Sequence, residues 1–351
     1  MRTLLFLVCL LSPLSVSRSE AAESLVLDSS EFSAEDSLKV ISDPSGDATA
    51  CLSGLAWPPG KFMVQTAPPV SRMADALISF PSPVPSGDAR NDRVTMEWHA
   101  ARDKEGKIAT RPAVVVVHES GSKMAVGRLF AMGFQASGVH AFLIHLPYYG
   151  ERLGSNQKHD RVHSLDSMIQ AVTDVRRARD AVAALPFVEK QHVSVQGTSL
   201  GGFVAATSAS LDSGPAGSGY ENVFVLLAGG NLIDVIQSGK RDAAKFKERL
   251  LQAGFEMEQI RDIVYNVEPL RIAHRLNPKR TWMFTANQDQ VVPLKNALAL
   301  AERIGLEETH HFRFDADHYS GIYFVPIVLK DMVGAIEASA EPAPQSSSLD
   351  S

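Results

Sequence analysis

Polar and apolar positions first fall into a regular pattern near residue 76. Ala76-Leu-Ile-Ser-Phe80 is one short apolar run, and in Arg93-Val-Thr-Met-Glu-Trp-His99 the residues Val94, Met96 and Trp98 alternate with polar ones. That two-residue period is the mark of a half-exposed strand. The loop between them, Pro81 to Asp92, carries Pro, Gly and Asn, so the pair predicts an antiparallel hairpin at a sheet edge. Beyond it the pattern changes to unbroken apolar runs: Val114 to Val117, Ala141 to Ile144, Val223 to Leu227 and Thr281 to Phe284. Such runs fit parallel strands covered on both faces. Between them the apolar residues recur at helical spacing. Met124, Leu129, Phe130, Met132 and Phe134 predict one crossover helix, and Val172, Val175, Ala178, Val182 and Leu185 predict a longer one stopped by Pro186. His311 to Phe314 reads as the last strand. Repeated β-α-β units predict an α/β chain with a doubly wound, mostly parallel sheet carrying an antiparallel N-terminal edge hairpin.

Three segments depart from this rhythm. Met1-Arg2-Thr3 followed by Leu4 to Leu11 has the charged start and short apolar core of a secretory signal, with cleavage expected by about residue 22. The alternative is a retained membrane anchor, although the run is short for a bilayer. Residues 23–75 are rich in Ser, Pro, Gly and Asp and read as an irregular N-terminal extension. Residues 231–276 exceed one crossover helix. Phe246, Leu250 and Leu251, then Ile260, Ile263 and Val264, fall at helical spacing on either side of Gly254. They predict a small helical insertion that sits over the strand ends as a lid, the alternative being a plain extended crossover. The core domain is then 76–337, and 338–351 reads as a disordered tail.

The 351 residues, 45% of them hydrophobic, are enough for a large core. The net charge of -6 and the lack of any Lys/Arg block argue against a nucleic-acid partner. Of the two cysteines, Cys9 lies in the leader and Cys51 would be left alone after cleavage. With no intrachain disulfide then possible, an exported chain would rely on its core.

The chemistry begins at His192-Val-Ser-Val-Gln-Gly-Thr-Ser199-Leu-Gly-Gly-Phe. An apolar, β-branched strand runs into a serine with glycine two residues away on either side, and a small-residue helix follows. That pattern fits a tight strand-to-helix turn holding the hydroxyl of Ser199 clear of the sheet, at a helix N-terminus. Serine is a poor nucleophile unless a base removes its proton and a third group orients the base. Residues at the carboxyl ends of parallel strands converge on one crevice. Among 11 histidines, His318 is the one that follows the last strand in a loop before the final helix. His310 and His311 are rivals within the strand. Asp289 follows the strand Thr281–Phe284, with Asp317 and Asp315 as alternatives too near His318 in sequence to face it. The order Ser199, Asp289, His318 is the one expected of hydrolases on such a sheet. An oxyanion needs two N–H donors. Leu200 is one, and the loop His118-Glu119-Ser120-Gly121 supplies the other, Ser120 being favoured over Glu119. His118 itself reads as a strand-end histidine satisfied by backbone. At the rim, Glu119, Tyr148, Tyr149 and Arg152 are candidate substrate contacts, the alternative for Arg152 being a structural turn in which it pairs with an acid.

GTSLGG, QDQVVP, ADHYSG and their strand order together resemble the α/β-hydrolase superfamily. VVVVHESG, with a glutamate after the strand, and the helix VTDVRRARDAVAALPFV are similar to its dienelactone-hydrolase-like and acetyl-xylan-esterase-like branch. The resemblance spans roughly residues 93–336. It differs in having serine where dienelactone hydrolases use cysteine, and in a shorter oxyanion loop. It implies hydrolysis of a carboxylic ester, with no metal and no organic cofactor. The expectation is a secreted or periplasmic serine esterase that acts on a small-molecule or carbohydrate ester through an acyl-enzyme intermediate. It would have no stable membrane insertion once the leader is removed. A serine peptidase or an acyltransferase would use the same residues, and a non-catalytic binding module would typically have lost one of the three.

Overall fold

In the computed structural model, which describes residues 29–39, 43–154, 163–212 and 219–340, the apolar runs assemble into one ten-stranded sheet. Its strands are β1 (Glu31–Glu35), β2 (Lys61–Ala67), β3 (Ala76–Pro81), β4 (Arg93–His99) and β5 (Arg111–Val117). They continue with β6 (His140–Ile144), β7 (Val188–Thr198), β8 (Val223–Leu226), β9 (Thr281–Ala286) and β10 (His311–Phe314). The spatial order is β1-β2-β3-β4-β6-β5-β7-β8-β9-β10. The four strands from β1 to β4 are antiparallel, and β4 joins β6 antiparallel. From β6 to β10 every neighbour is parallel. This is the doubly wound, mostly parallel sheet with an antiparallel edge that the sequence pattern predicts. The β3–β4 hairpin is not itself the edge, because β1 and β2 pair outside it, and β4 is buried from Val94 to His99 where a half-exposed strand was expected.

Between strands lie α1 (Gly46–Leu55), α2 (Ala125–Ala136), α3 (His163–Ala183), α4 (Leu200–Ala209) and α9 (Leu294–Ile304), and α10 (Val325–Ala340) follows β10. The excursion after β8 folds as α5 (Leu232–Ser238), α6 (Asp242–Gln252), α7 (Met257–Tyr265) and the single turn α8 (Pro269–Ile272). From β5 the chain moves one way through α2 to β6, then back past β5 through α3 to β7. Right-handed crossovers in opposite directions put their helices on opposite faces. Accordingly α2 packs with α10, and α3 packs with α4. The reversal leaves a crevice at the carboxyl ends of β5 and β7, where ligands of open α/β sheets bind.

Two boundaries differ from the sequence reading. The extension expected to be irregular supplies β1, α1 and β2. In β2, Phe62, Val64 and Thr66 are buried while Lys61, Met63 and Gln65 are exposed, a two-residue period interrupted only by its Pro- and Gly-rich flanks. The last helix also runs through residues 338–340, where a tail was expected. The segment expected to be a leader, residues 1–22, and residues 341–351 lie outside the described residues.

Buried charge fastens the extension to the domain. On α3, Arg177 grips Asp36 with two hydrogen bonds of 2.9 and 2.6 Å, its guanidinium 4.8 Å from the centre of the Phe62 ring. Asp180 accepts from the backbone N–H and the hydroxyl of Ser37 at 2.8 and 2.6 Å, and is itself held by Arg176 at 3.0 Å. Arg176 also pairs with Asp212. Each charge has a partner in fixed geometry, which buried ions require.

The sheet also encloses neutral histidines. His140 accepts from the Ala101 N–H and the Trp98 indole at Nδ1, and Nε2 lies 2.9 Å from the Ala109 carbonyl. His99 is fully buried, and neither ring nitrogen has a hydrogen-bond partner among the described residues. Burial pushes both rings below the ordinary histidine pKa. Below about pH 6.5 the unfolded chain therefore takes up protons that the folded chain refuses, and stability falls as pH falls. Urea midpoints are expected to drop between pH 7 and 5. His99→Leu removes a buried ring that makes no hydrogen bond and lies 4.0 Å from Glu97, so it should flatten that drop and raise stability at pH 5 by on the order of 1 kcal/mol. An unchanged pH dependence in His99→Leu would count against this account.

Candidate active site

Strand β7 ends at Thr198 and α4 begins at Leu200, so Ser199 alone makes the turn. Its backbone is at φ 53 and ψ -116, a conformation that L-residues rarely adopt. The turn closes because its neighbours lack side chains. A Cβ on Gly197 would sit 2.1 Å from the Gly201 carbonyl oxygen, and one on Gly201 would sit 2.1 Å from the Val117 carbonyl oxygen. The serine thus stands directly against the end of β5.

The Ser199 hydroxyl lies 3.0 Å from Nε2 of His318, and Nδ1 of His318 lies 2.6 Å from Oδ2 of Asp289. An ionised carboxylate only accepts, so Nδ1 carries the proton and Nε2 accepts from the hydroxyl. Asp289 is buried, and its other oxygen accepts from the N–H groups of Val291 and Val292 at 2.8 and 2.9 Å. Both partner loops continue adjacent parallel strands. After β9 and β10 they stay hydrogen-bonded, from the Asn287 N–H to the Phe314 carbonyl and from the Gln288 N–H to the Ala316 carbonyl, each at 2.9 Å.

The rival residues are engaged elsewhere. Asp317 caps its own turn, accepting from the N–H groups of Tyr319 and Ser320 at 3.0 and 2.8 Å. Those bonds hold its carboxyl well down, at about 2. Asp315 accepts from Gln288, and His311 bonds the Thr285 hydroxyl.

Leu200 opens α4, where the first N–H groups have no acceptor within the helix. Across the crevice His118, fully buried, fixes the facing loop. Its Nε2 accepts from the Leu146 N–H at 3.2 Å, so Nδ1 bears the proton and donates to the Glu119 carbonyl at 2.6 Å. A trans peptide is planar, so this bond also fixes the direction of the Ser120 N–H, opposite to that carbonyl. The next carbonyl, of Ser120, accepts from the Tyr149 hydroxyl at 3.2 Å. The Glu119 carboxylate does separate work. It accepts from the N–H groups of Val126 and Gly127 at 3.2 and 3.1 Å, capping α2 where the residue before the helix, Met124, offers no side-chain acceptor.

Ser199 lies on the border of two hollows. One, of about 400 Å³, is walled by Glu119, Ser120, His318 and Tyr319, with Lys245 and Arg249 from α6. The other, of about 160 Å³, is walled chiefly by apolar side chains, among them Tyr149, Leu200, Phe203, Val235, Ile236 and Phe246. The excursion expected at 231–276 therefore forms walls of both. Tyr148 is absent from either wall. Its backbone is tied to the Asn91 side chain at 3.0 Å in a positive-φ turn. Arg152 is fully buried, bonding the Asn91 and His145 carbonyls and, at 2.8 Å, Asp174. The rim role considered for Arg152 is therefore corrected: the alternative, a structural turn paired to an acid, is what the side chain does. His118 is satisfied by backbone, as its place at the strand end predicts, although Leu146, one of its partners, is near only in space. Sequence reading missed Lys245 and Arg249, because nothing in the sequence orients α6.

Among the described residues, no helix is long and apolar enough to cross a membrane, and no group of three or more His, Cys, Asp and Glu could hold a metal ion.

Comparison with family models and with curated protein sequences gives no match. Solved structures do match. An acetyl xylan esterase from Paenibacillus sp. R4 aligns over 86% of this chain and 96% of its own, at 15% identity and a TM-score of 0.58. Acetyl xylan esterase 1 from Thermoanaerobacterium sp. JW/SL YS485 aligns over 85% and 96%, at 14% identity and a TM-score of 0.57. The α/β hydrolase GrgF from Penicillium sp. sh18 aligns over 75% and 98%, at 15% identity and a TM-score of 0.52. The chain has the α/β-hydrolase fold.

Removing a partner from a buried ion pair typically costs 3–5 kcal/mol, here by leaving Asp174 unpaired. Arg152→Ala is accordingly expected to lose about that much in urea denaturation. A raised KM with unchanged stability would instead restore Arg152 to substrate contact.

Proposed function

We propose that the chain is a serine hydrolase that cleaves a carboxylic ester through an acyl-enzyme. The observation that carries this reading is the unbroken chain from Ser199 through His318 to Asp289, at 3.0 and 2.6 Å, starting from a serine at φ 53. In the first half-reaction the Ser199 oxygen bonds to the ester carbonyl carbon while its proton passes to Nε2 of His318. Asp289 holds the ring in the receptive tautomer and stabilises the imidazolium that forms. Negative charge gathers on the carbonyl oxygen, for which the N–H groups of Leu200 and Ser120 are the donors, the second held by His118. Collapse breaks the bond to the alcohol oxygen, which takes the proton from Nε2. Water then repeats the sequence on the acyl-serine, releasing the acid and restoring Ser199.

The acetyl xylan esterases among the structural neighbours support an ester substrate. Export is part of the proposal, resting on the leader at Met1–Leu11. The remaining cysteine, Cys51, is suited to an oxidising compartment. It is buried, and burial pushes its thiol up to about 11, which suppresses the reactive thiolate.

A fluorophosphonate probe should label the wild type and leave Ser199→Ala unlabelled, although the variant folds. Failure of the folded wild type to react would overturn the proposal. Asp289→Asn keeps the hydrogen bond but favours the wrong tautomer, and kcat on p-nitrophenyl acetate is expected to fall by about 10⁴, as in other such triads.

A further inference from the structure

We infer that the smaller hollow is the acyl site, and that the preferred substrates are esters of apolar acids of about six carbons rather than acetates. This rests on the serine-hydrolase reading and adds the substrate class to it. The direction of the ester follows from proton transfer. His318 must deliver its proton to the departing alcohol oxygen, so the alcohol lies on the side of Ser199 where His318 forms the wall. That is the larger hollow, whose wall mixes Lys245, Arg249 and Tyr319 with Leu227, Ile322 and Val325. The carbonyl oxygen is directed to the Leu200 and Ser120 N–H groups, and the remaining substituent, the acyl chain, is left the other hollow. Its walls are mostly apolar, with Leu200 and Phe203 from α4, Val235 and Ile236 from α5, and Ala243 and Phe246 from α6, while Asp242, which lines both hollows, is taken up by the Tyr319 hydroxyl at 2.8 Å. Such a wall favours hydrocarbon and offers a polar acyl group little to bond.

Size sets the chain length. The hollow measures about 160 Å³. An engineered apolar protein cavity of about 150 Å³ holds a benzene molecule, which implies room for roughly six carbons. An acetyl group would leave most of that space unfilled. Each methylene moved from water to an apolar wall is worth about 0.8 kcal/mol, or about fourfold in kcat/KM where the contact is kept in the transition state.

The test is a series of p-nitrophenyl esters from acetate to decanoate. The wild type should favour hexanoate over acetate by tenfold or more in kcat/KM, with a decline beyond octanoate. Ala243→Leu fills the hollow from α6 and should lower the hexanoate-to-acetate ratio at least fivefold. Phe246→Ala enlarges it and should move the optimum to longer chains, so a misfolded first variant leaves the second decisive. Calorimetry on Ser199→Ala gives a readout free of turnover: methyl hexanoate should bind saturably and methyl acetate should not. Turnover of acetate with a ratio at or below one would overturn the acyl site and leave the serine hydrolase standing. So would equal binding of the two methyl esters. Saturable hexanoate binding without turnover would support the site while counting against the serine reading.

Discussion

The fold is organised by one close approach. The backbone of Gly201 lies against the carbonyl end of β5, so near that even a methyl group would meet the Val117 oxygen at 2.1 Å. That contact brings the start of α4 beside the loop that follows β5, and it forces Ser199 into its positive-φ turn between them. The rest of the site is then a matter of reach. The loops after β9 and β10 need only extend the sheet by a few residues for His318 to reach the serine hydroxyl and Asp289 to reach His318. Backbone strain at the serine persists because the surrounding sheet over-determines it.

The division of labour among buried polar groups follows from the same geometry. On the active-site side, His118 holds the peptide of the facing loop and Glu119 caps the helix behind it. Neighbouring residues thereby serve two separate functions, one fixing a donor and one fixing a helix. Away from the crevice, α3 is a charged helix turned inward. Its arginines hold the N-terminal strands against the domain, and Arg152 extends this scaffold to the loop after β6. Strongly polar side chains near the crevice thus stabilise its walls without facing into it.

Much of this was legible in the sequence. Unbroken apolar runs identified the parallel strands because strands covered on both faces tolerate little else. The glycines around Ser199 identified the turn because sterics leave few alternatives there. Asp289 and His318 could be picked out because parallel strands end on one side. What was not legible depends on contacts between distant segments. The period of β2 was visible only in seven residues between prolines and glycines, and its place in the sheet depends on Asp36 meeting Arg177. Arg152 looked like a rim residue because its loop was placed correctly, while the partner that turns it inward, Asp174, lies on a helix whose rotation the sequence does not specify. The walls of the two hollows come from helices whose tilt is set by packing alone.

One carboxylate closes the excursion after β8. Glu268, largely buried, accepts from the N–H groups of Asn231, Leu232 and Leu270 at 2.7, 2.6 and 3.0 Å, so the departing and returning chain are fastened to the same two oxygen atoms. A segment whose ends are pinned together behaves as a cassette. Its length can change at small entropic cost, since doubling a closed loop adds only about 0.6 kcal/mol. Substitution or exchange of α5 to α7 can therefore remodel what sits above the serine while the sheet and its three aligned residues stay as they are. The roof over Ser199 and the sheet beneath it are thus free to change independently of one another.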